Sequence, residues 1–266
     1  AALAGVLDTL ALLEFCKVSG LRAASRTLHS CFVLLESCGP WGYTCVLHAL
    51  PRLDPDRIRS PGPAADSRLL FLLKLTPLLA GRAEATAFRA GAIPVVRGGM
   101  RHPESQVCAA ASEAAGLILA VKAFANPDAE ALFRDFLEAA RSNFPDRLPL
   151  PLLAQGLGAY LGRADATRGG INLFCSELLR MCTALEAEGD GAGSGAVRRI
   201  LLESLAVVDV RQMGLVMEAV GAFIAAARGG RRERYLDEVI GWIPSVVDYV
   251  RKPFIVDWYQ RLAAVS

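Results

Sequence analysis

Histidine is scarce in this chain: only His29, His48 and His102 occur in 266 residues. None follows His102, so Cys175 and Cys182 have no imidazole base near them in sequence, and a Cys–His nucleophile is not suggested. No Cys-x-x-Cys pair occurs either. His29 precedes Cys31 by two residues and His48 follows Cys45 by three, but Cys31, Cys38 and Cys45 stand seven apart and Gly39-Pro40 separates them. Structural zinc favours closely paired ligands, so no metal site is expected. The glycine runs Gly156-Leu-Gly158 and Gly189-Asp-Gly-Ala-Gly-Ser-Gly195 carry no Gly-Lys-Ser/Thr and follow no strand, which excludes a P-loop. The expectation is a chain with no catalytic, cofactor-binding or metal-binding residues, and no enzyme activity.

Other absences bound the fold. No stretch alternates apolar and polar residues for long enough to make a strand. The longest apolar run, Leu69 to Ala80, is interrupted by Lys74 and Pro77 and is too short for a membrane span. Net charge is only +2, from 29 Lys+Arg against 27 Asp+Glu, so no global field draws in nucleic acid or acidic lipid. The seven cysteines are odd in number and sit mostly in apolar helical stretches, where a free thiol behaves as a small hydrophobe. Reduced thiols imply an intracellular protein, cytoplasmic or nuclear.

What remains is a succession of helices. Apolar residues make up 53% of the chain, which suits helices buried on most sides. Gly39-Pro40, Pro51 and Gly81 punctuate the first third. A short helix is expected from Pro94 to Gly98-Gly99, then a long one from Ser105 to Phe124 with Val107, Ala110, Ala111, Ala114, Leu117 and Ile118 on one side. Asn126-Pro127 reads as an N-cap with proline in the first turn, opening a helix to about Asn143. Further helices are expected over Leu152–Leu161, Ile171–Leu185, Val197–Val208, Val210–Ala227, Arg231–Trp242, Ser245–Val250 and Phe254–Ala264. Two connections, 51–65 and 186–196, are rich in Pro or Gly and poor in apolar residues, and read as flexible loops. Helix pairs recur roughly every 40 residues, the period of armadillo and HEAT arrays, so the expected fold is an all-α solenoid in a single domain over 1–266, a segment of a longer protein.

One stretch supports that reading more specifically. Ala90-Gly91-Ala92-Ile93-Pro94-Val95-Val96, then His102-Pro103-Glu104-Ser105-Gln106-Val107 and the alanine-rich helix beyond, resembles an armadillo repeat over residues 90–120. The resemblance implies a Gly-Ala-Ile-Pro turn into a second helix and buried positions at Val107 and Ala111. Armadillo proteins that bind extended peptides place an asparagine near the end of the third helix. Leu117 stands there instead and cannot hold a peptide backbone by hydrogen bonds, so the resemblance carries the fold and not that ligand.

The one marked charge cluster is Arg228-Gly-Gly-Arg-Arg-Glu-Arg234. Arg228, Arg231, Arg232 and Arg234 are the candidate partner-binding residues, with Arg198-Arg199 as a weaker pair. The function this supports is a non-catalytic scaffold for protein partners, with nucleic acid not expected in the absence of a recognisable motif. The alternative is a nucleic-acid-associated or phospho-motif-binding repeat using the same arginine edge.

Overall fold

The computed structural model describes residues 37, 69–70, 73–74, 76–77, 79–81, 85–124, 126–144, 146–204, 208, 213–226, 231–246 and 260. Every regular element of useful length among them is an α-helix: α1 (Ala85–Met100), α2 (Ser105–Leu119), α3 (Asn126–Asn143), α4 (Leu150–Leu161), α5 (Arg168–Ala187), α6 (Gly191–Glu203), α7 (Met213–Ala226) and α8 (Arg231–Val246). Where the sequence suggests a single domain, the chain divides into two compact units, Ala1–Gly156 and Leu157–Ser266. The expected loop at 51–65 and the expected last helix, Phe254–Ala264, lie outside the described residues apart from Gln260.

In the first unit α1 corrects the expectation of a short helix beginning at Pro94. It starts nine residues earlier, at Ala85, and runs straight through Pro94. A mid-helix proline removes one hydrogen bond to the carbonyl four residues back. Both Pro94 and Ala90 face solvent, so the freed carbonyl of Ala90 lies on the wet side of the helix. The opposite face, with Phe88, Ala92, Ile93, Val96 and Met100, is buried. α2 stops at Leu119 rather than Phe124, and two tight turns (Val121 N–H to Ile118 O, Phe124 N–H to Val121 O) follow it. They return Phe124 to the core, edge-on to Phe88 with ring centroids 5.8 Å apart.

Three ion pairs join α1 and the residue just after it to α3: Arg89 to Asp128 at 2.6 Å, Arg97 to Asp135, and Arg101 to Glu138 at 3.2 Å. As one helix advances so does the other, and the pairs span 39 residues at one end and 37 at the other. The two helices are therefore parallel. Their C-termini meet at Asn143, whose buried Nδ2 donates to Met100 O at 3.1 Å and to Ala139 O at 2.7 Å. That bond satisfies one of the carbonyls left over at the end of α1. A Cβ at Gly116 of α2 would lie 3.2 Å from the Gly156 backbone of α4, so these two helices also approach closely about 40 residues apart in sequence.

In the second unit α5 is capped by Thr167, whose side chain accepts from Gly170 N–H. Its face bearing Ile171, Phe174, Cys175, Leu178, Met181, Cys182 and Leu185 is buried. The expected flexible loop at 186–196 is absent from the fold. α5 extends to Ala187 and closes with the two bonds of a Schellman turn, Asp190 N–H to Leu185 O at 2.8 Å and Gly189 N–H to Glu186 O at 3.2 Å. Gly189 takes the left-handed conformation, φ 83°, that this turn requires. Asp190 then serves as N-cap of α6, accepting from Gly193 N–H at 2.8 Å. Two caps back to back leave no length for a loop, and Gly191 to Gly195 are wound into α6. α8, likewise, continues past Pro244 to Val246 where two helices are expected.

Candidate functional site

The arginine cluster does not stand free on the surface. Arg228 lies outside the described residues; Arg231, Arg232 and Arg234 occupy the first turn of α8. Arg231 is exposed, yet its Nη1 reaches Glu186 Oε2 at 3.2 Å. The Arg234 guanidinium lies 5.3 Å from the centre of the Tyr235 ring, within cation–π range. Arg232 is half-buried.

Beneath them is a polar cluster. Arg198 of α6 is buried, and its Nε and Nη2 form a fork with Glu238 of α8 at 2.8 and 2.9 Å. Its Nη1 donates to Glu186 Oε1 at 2.9 Å and to Ser194 Oγ at 2.6 Å. Its guanidinium also covers the Tyr235 ring, 4.2 Å from the centroid. Four of its five N–H donors are thus engaged. Glu186, at the end of α5, accepts on Oε1 from Ser194 Oγ at 2.9 Å, from Arg198 and from the Tyr235 hydroxyl, while Oε2 faces Arg231.

The electrostatics follow from this packing. Burial pushes the Glu186 carboxyl up, but the hydrogen bonds from Tyr235 and Ser194 and the charges of Arg198 and Arg231 outweigh it, so the group settles below the ordinary carboxylate range. Burial and the bond to Glu186 both push the Tyr235 phenol up. Burial would favour an uncharged Arg198, but the fork with Glu238 more than offsets that and its pKa rises. A carboxylate that already meets four donors has little lone-pair capacity left for a substrate proton. What this cluster does is join the end of α5 and the starts of α6 and α8.

Beside it lies a small recess with a cavity volume of about 20 Å³, lined by Leu201, Leu202, Val220, Ile224 and Val239 as well as the cluster. That is far below the roughly 300–1,000 Å³ usual for small-molecule pockets. Among the described residues no group of three His, Cys, Asp or Glu is placed to hold a metal ion. His102 Nδ1 accepts from Glu104 N–H at 3.1 Å in the turn before α2; His29, His48 and the cysteines at 16, 31, 38 and 45 lie outside the described residues. Cys108, Cys175 and Cys182 are free and buried, and burial pushes the thiols of Cys175 and Cys182 up to about 12. No described helix is long and apolar enough to cross a membrane.

Arg231 and Arg234 are thus brought together by the fold, but onto Glu186 and Tyr235. Sequence reasoning missed Glu186, Tyr235 and Glu238, and ranked Arg198 low. The available signal was the position of Arg198, which at helical spacing shares a side with Val197, Leu201 and Leu202, whereas Arg199 faces out. Comparison of the chain with protein-family models, with curated proteins and with solved structures finds no match in any of the three.

Proposed function

We propose that this chain is a non-catalytic protein-interaction scaffold of the armadillo/HEAT type, in which helix pairs stack within each unit and their outer faces dock a protein partner. The observation that carries the reading is the recurring register. Helices α1 and α3, α2 and α4, and α6 and α8 each meet their second neighbour, through Arg97–Asp135, Gly116–Gly156 and Arg198–Glu238, with the first and last of these offsets at 38 and 40 residues. A stack of this kind buries each helix against its neighbours and leaves long side faces for binding.

Leu117 supports the same reading. It is 42% exposed on α2, in line with the exposed Gln106 and Glu113, so it lies on the outer face that the reading assigns to the partner. The nucleic-acid alternative loses support because Arg231 is paired with Glu186 and Arg234 is stacked on Tyr235, which lowers the charge free for phosphate.

The test is partner capture by the intact chain, with cross-linking to locate the contact. Capture should survive raised salt, and Leu117→Asp should abolish it while the helical spectrum stays unchanged. Capture insensitive to Leu117→Asp, with cross-links away from α2, removes the proposed surface. Nuclease-sensitive capture with a steep salt dependence replaces the scaffold by the nucleic-acid reading.

A further inference from the structure

The first turn of α6 is wound from residues that do not favour a helix. Three of the five residues Gly191 to Gly195 are glycine. Each glycine in a helix interior lowers the helix-to-coil ratio about five-fold relative to alanine. The turn is held from outside its own sequence. Ser194 Oγ and Arg198 Nη1 both bond Glu186, and Cys182 Sγ lies 3.8 Å from Ser194 O. Asp190 supplies the cap.

The groups that hold the turn are the groups that hold α8. Glu186 also receives Tyr235 and Arg231, and Arg198 also forks onto Glu238. If α8 departs, Glu186 loses two of its donors and a buried guanidinium loses its two-toothed partner. Arg198 then faces water and keeps only Glu186 and Ser194, so the fork that fixed its guanidinium no longer braces the glycine turn one helical turn before it. If the turn unwinds instead, Ser194 and Arg198 leave Glu186 and Glu238, and α8 loses its polar anchor.

We propose that the Gly191–Gly195 turn and α8 form one cooperative latch, the turn winding when α8 is docked and unwinding when it is released. Such a unit opens locally, and both its parts open together. The latch gives this end of the second unit two defined states.

Hydrogen exchange by mass spectrometry on the full chain tests this. Gly195 is a site where alanine fits, since an added Cβ would meet only the end of Arg198 at 3.6 Å. Gly195→Ala should slow exchange of the Ser194–Arg198 amides about five-fold. Because coupling is reciprocal, it should slow the Tyr235–Val239 amides of α8 by a similar factor. In the other direction, Glu238→Gln should speed exchange in the α6 turn about ten-fold, the usual loss on weakening a charged hydrogen bond. The Cys108–Leu119 amides of α2 should be unchanged in both. Slowing confined to α6 in Gly195→Ala, or no slowing anywhere, overturns the latch. So does Glu238→Gln speeding α8 alone or speeding α2 equally. Gly195→Ala stabilises and needs no destabilised protein, so it decides the matter even where Glu238→Gln fails to fold.

Discussion

Glycine 156 sets how closely α4 can lie against its neighbours, and replacing it by alanine puts a number on that closeness. The added Cβ would sit 2.3 Å from Phe136 Cζ and 2.7 Å from both Cε atoms. Non-bonded carbons prefer about 3.5–4.0 Å, so Phe136 must move by more than an ångström. Phe136 is fully buried and has no room to do so. Overpacking of this severity falls near the top of the range of about 1–3 kcal/mol. Against it stands the gain from removing a helical glycine, about 1 kcal/mol. Gly156→Ala should therefore destabilise by about 2 kcal/mol. Gly158, two residues on in the same helix, has no atom within 4 Å of its would-be Cβ, so Gly158→Ala carries only the propensity gain and should stabilise by about 0.5–1 kcal/mol. The pair should differ in urea unfolding, followed by helical circular dichroism, by about 3 kcal/mol, or about 6–12 °C in Tm for a chain of this size. Phe136→Leu removes the clashing ring atoms and should cost less in the Gly156→Ala background than in the wild type. If both glycine variants stabilise alike, the α3–α4 contact described above is wrong.

Asn143→Ala should lower stability by about 1–3 kcal/mol in the same assay, because Met100 O is left buried with one donor fewer, whereas the exposed Ser142→Ala should change little. Cys175 and Cys182, held near pKa 12, should resist Ellman's reagent at pH 8 until denaturant is added, and rapid native labelling of either would contradict their burial. Glu186 is held below its ordinary value of 4.5, so its contribution to stability is full above that pH and is lost as pH falls through its lower folded value. Glu186→Gln should be less stable at neutral pH and should lose less on acidification below about pH 4.5; an acid slope identical to wild type refutes the assignment.

The helices were legible in the sequence where punctuation was local. Asn126-Pro127 marks the start of α3, although Asn126 is its first helical residue and its buried Oδ1 makes no cap bond, and the expected Ile171–Leu185 helix lies within α5. The failures share a cause, which is that the deciding contact lies elsewhere in the chain or in the solvent. Pro94 reads as a helix start, yet it sits on a wet face where the missing hydrogen bond is tolerated. Gly191–Gly195 reads as linker, but partners at positions 186 and 238 wind it, and no local propensity reports on a residue 40 positions away. At the candidate site the exposed arginines stood out as a run, while Arg198 hid as half of an Arg-Arg pair. Which of two adjacent arginines turns inward is decided by the helix face, and Val197, Leu201 and Leu202 place Arg198 on the buried one.

The offset of about 40 residues between second-neighbour helices bears on how the chain is made. Arg89, Arg97 and Arg101 find Asp128, Asp135 and Glu138 within 39 residues, and Arg198 finds Glu238 within 40. A chain emerging at about 5–20 residues per second supplies each such partner about 2–8 s after the first residue appears. The described helices therefore have no need to wait for the far end of the chain. Within each unit a helix can close on the one two before it while the next is still being synthesised, and its apolar face spends only seconds uncovered. Short loops of this kind also carry little closure entropy, which favours fast, local folding over a late global collapse.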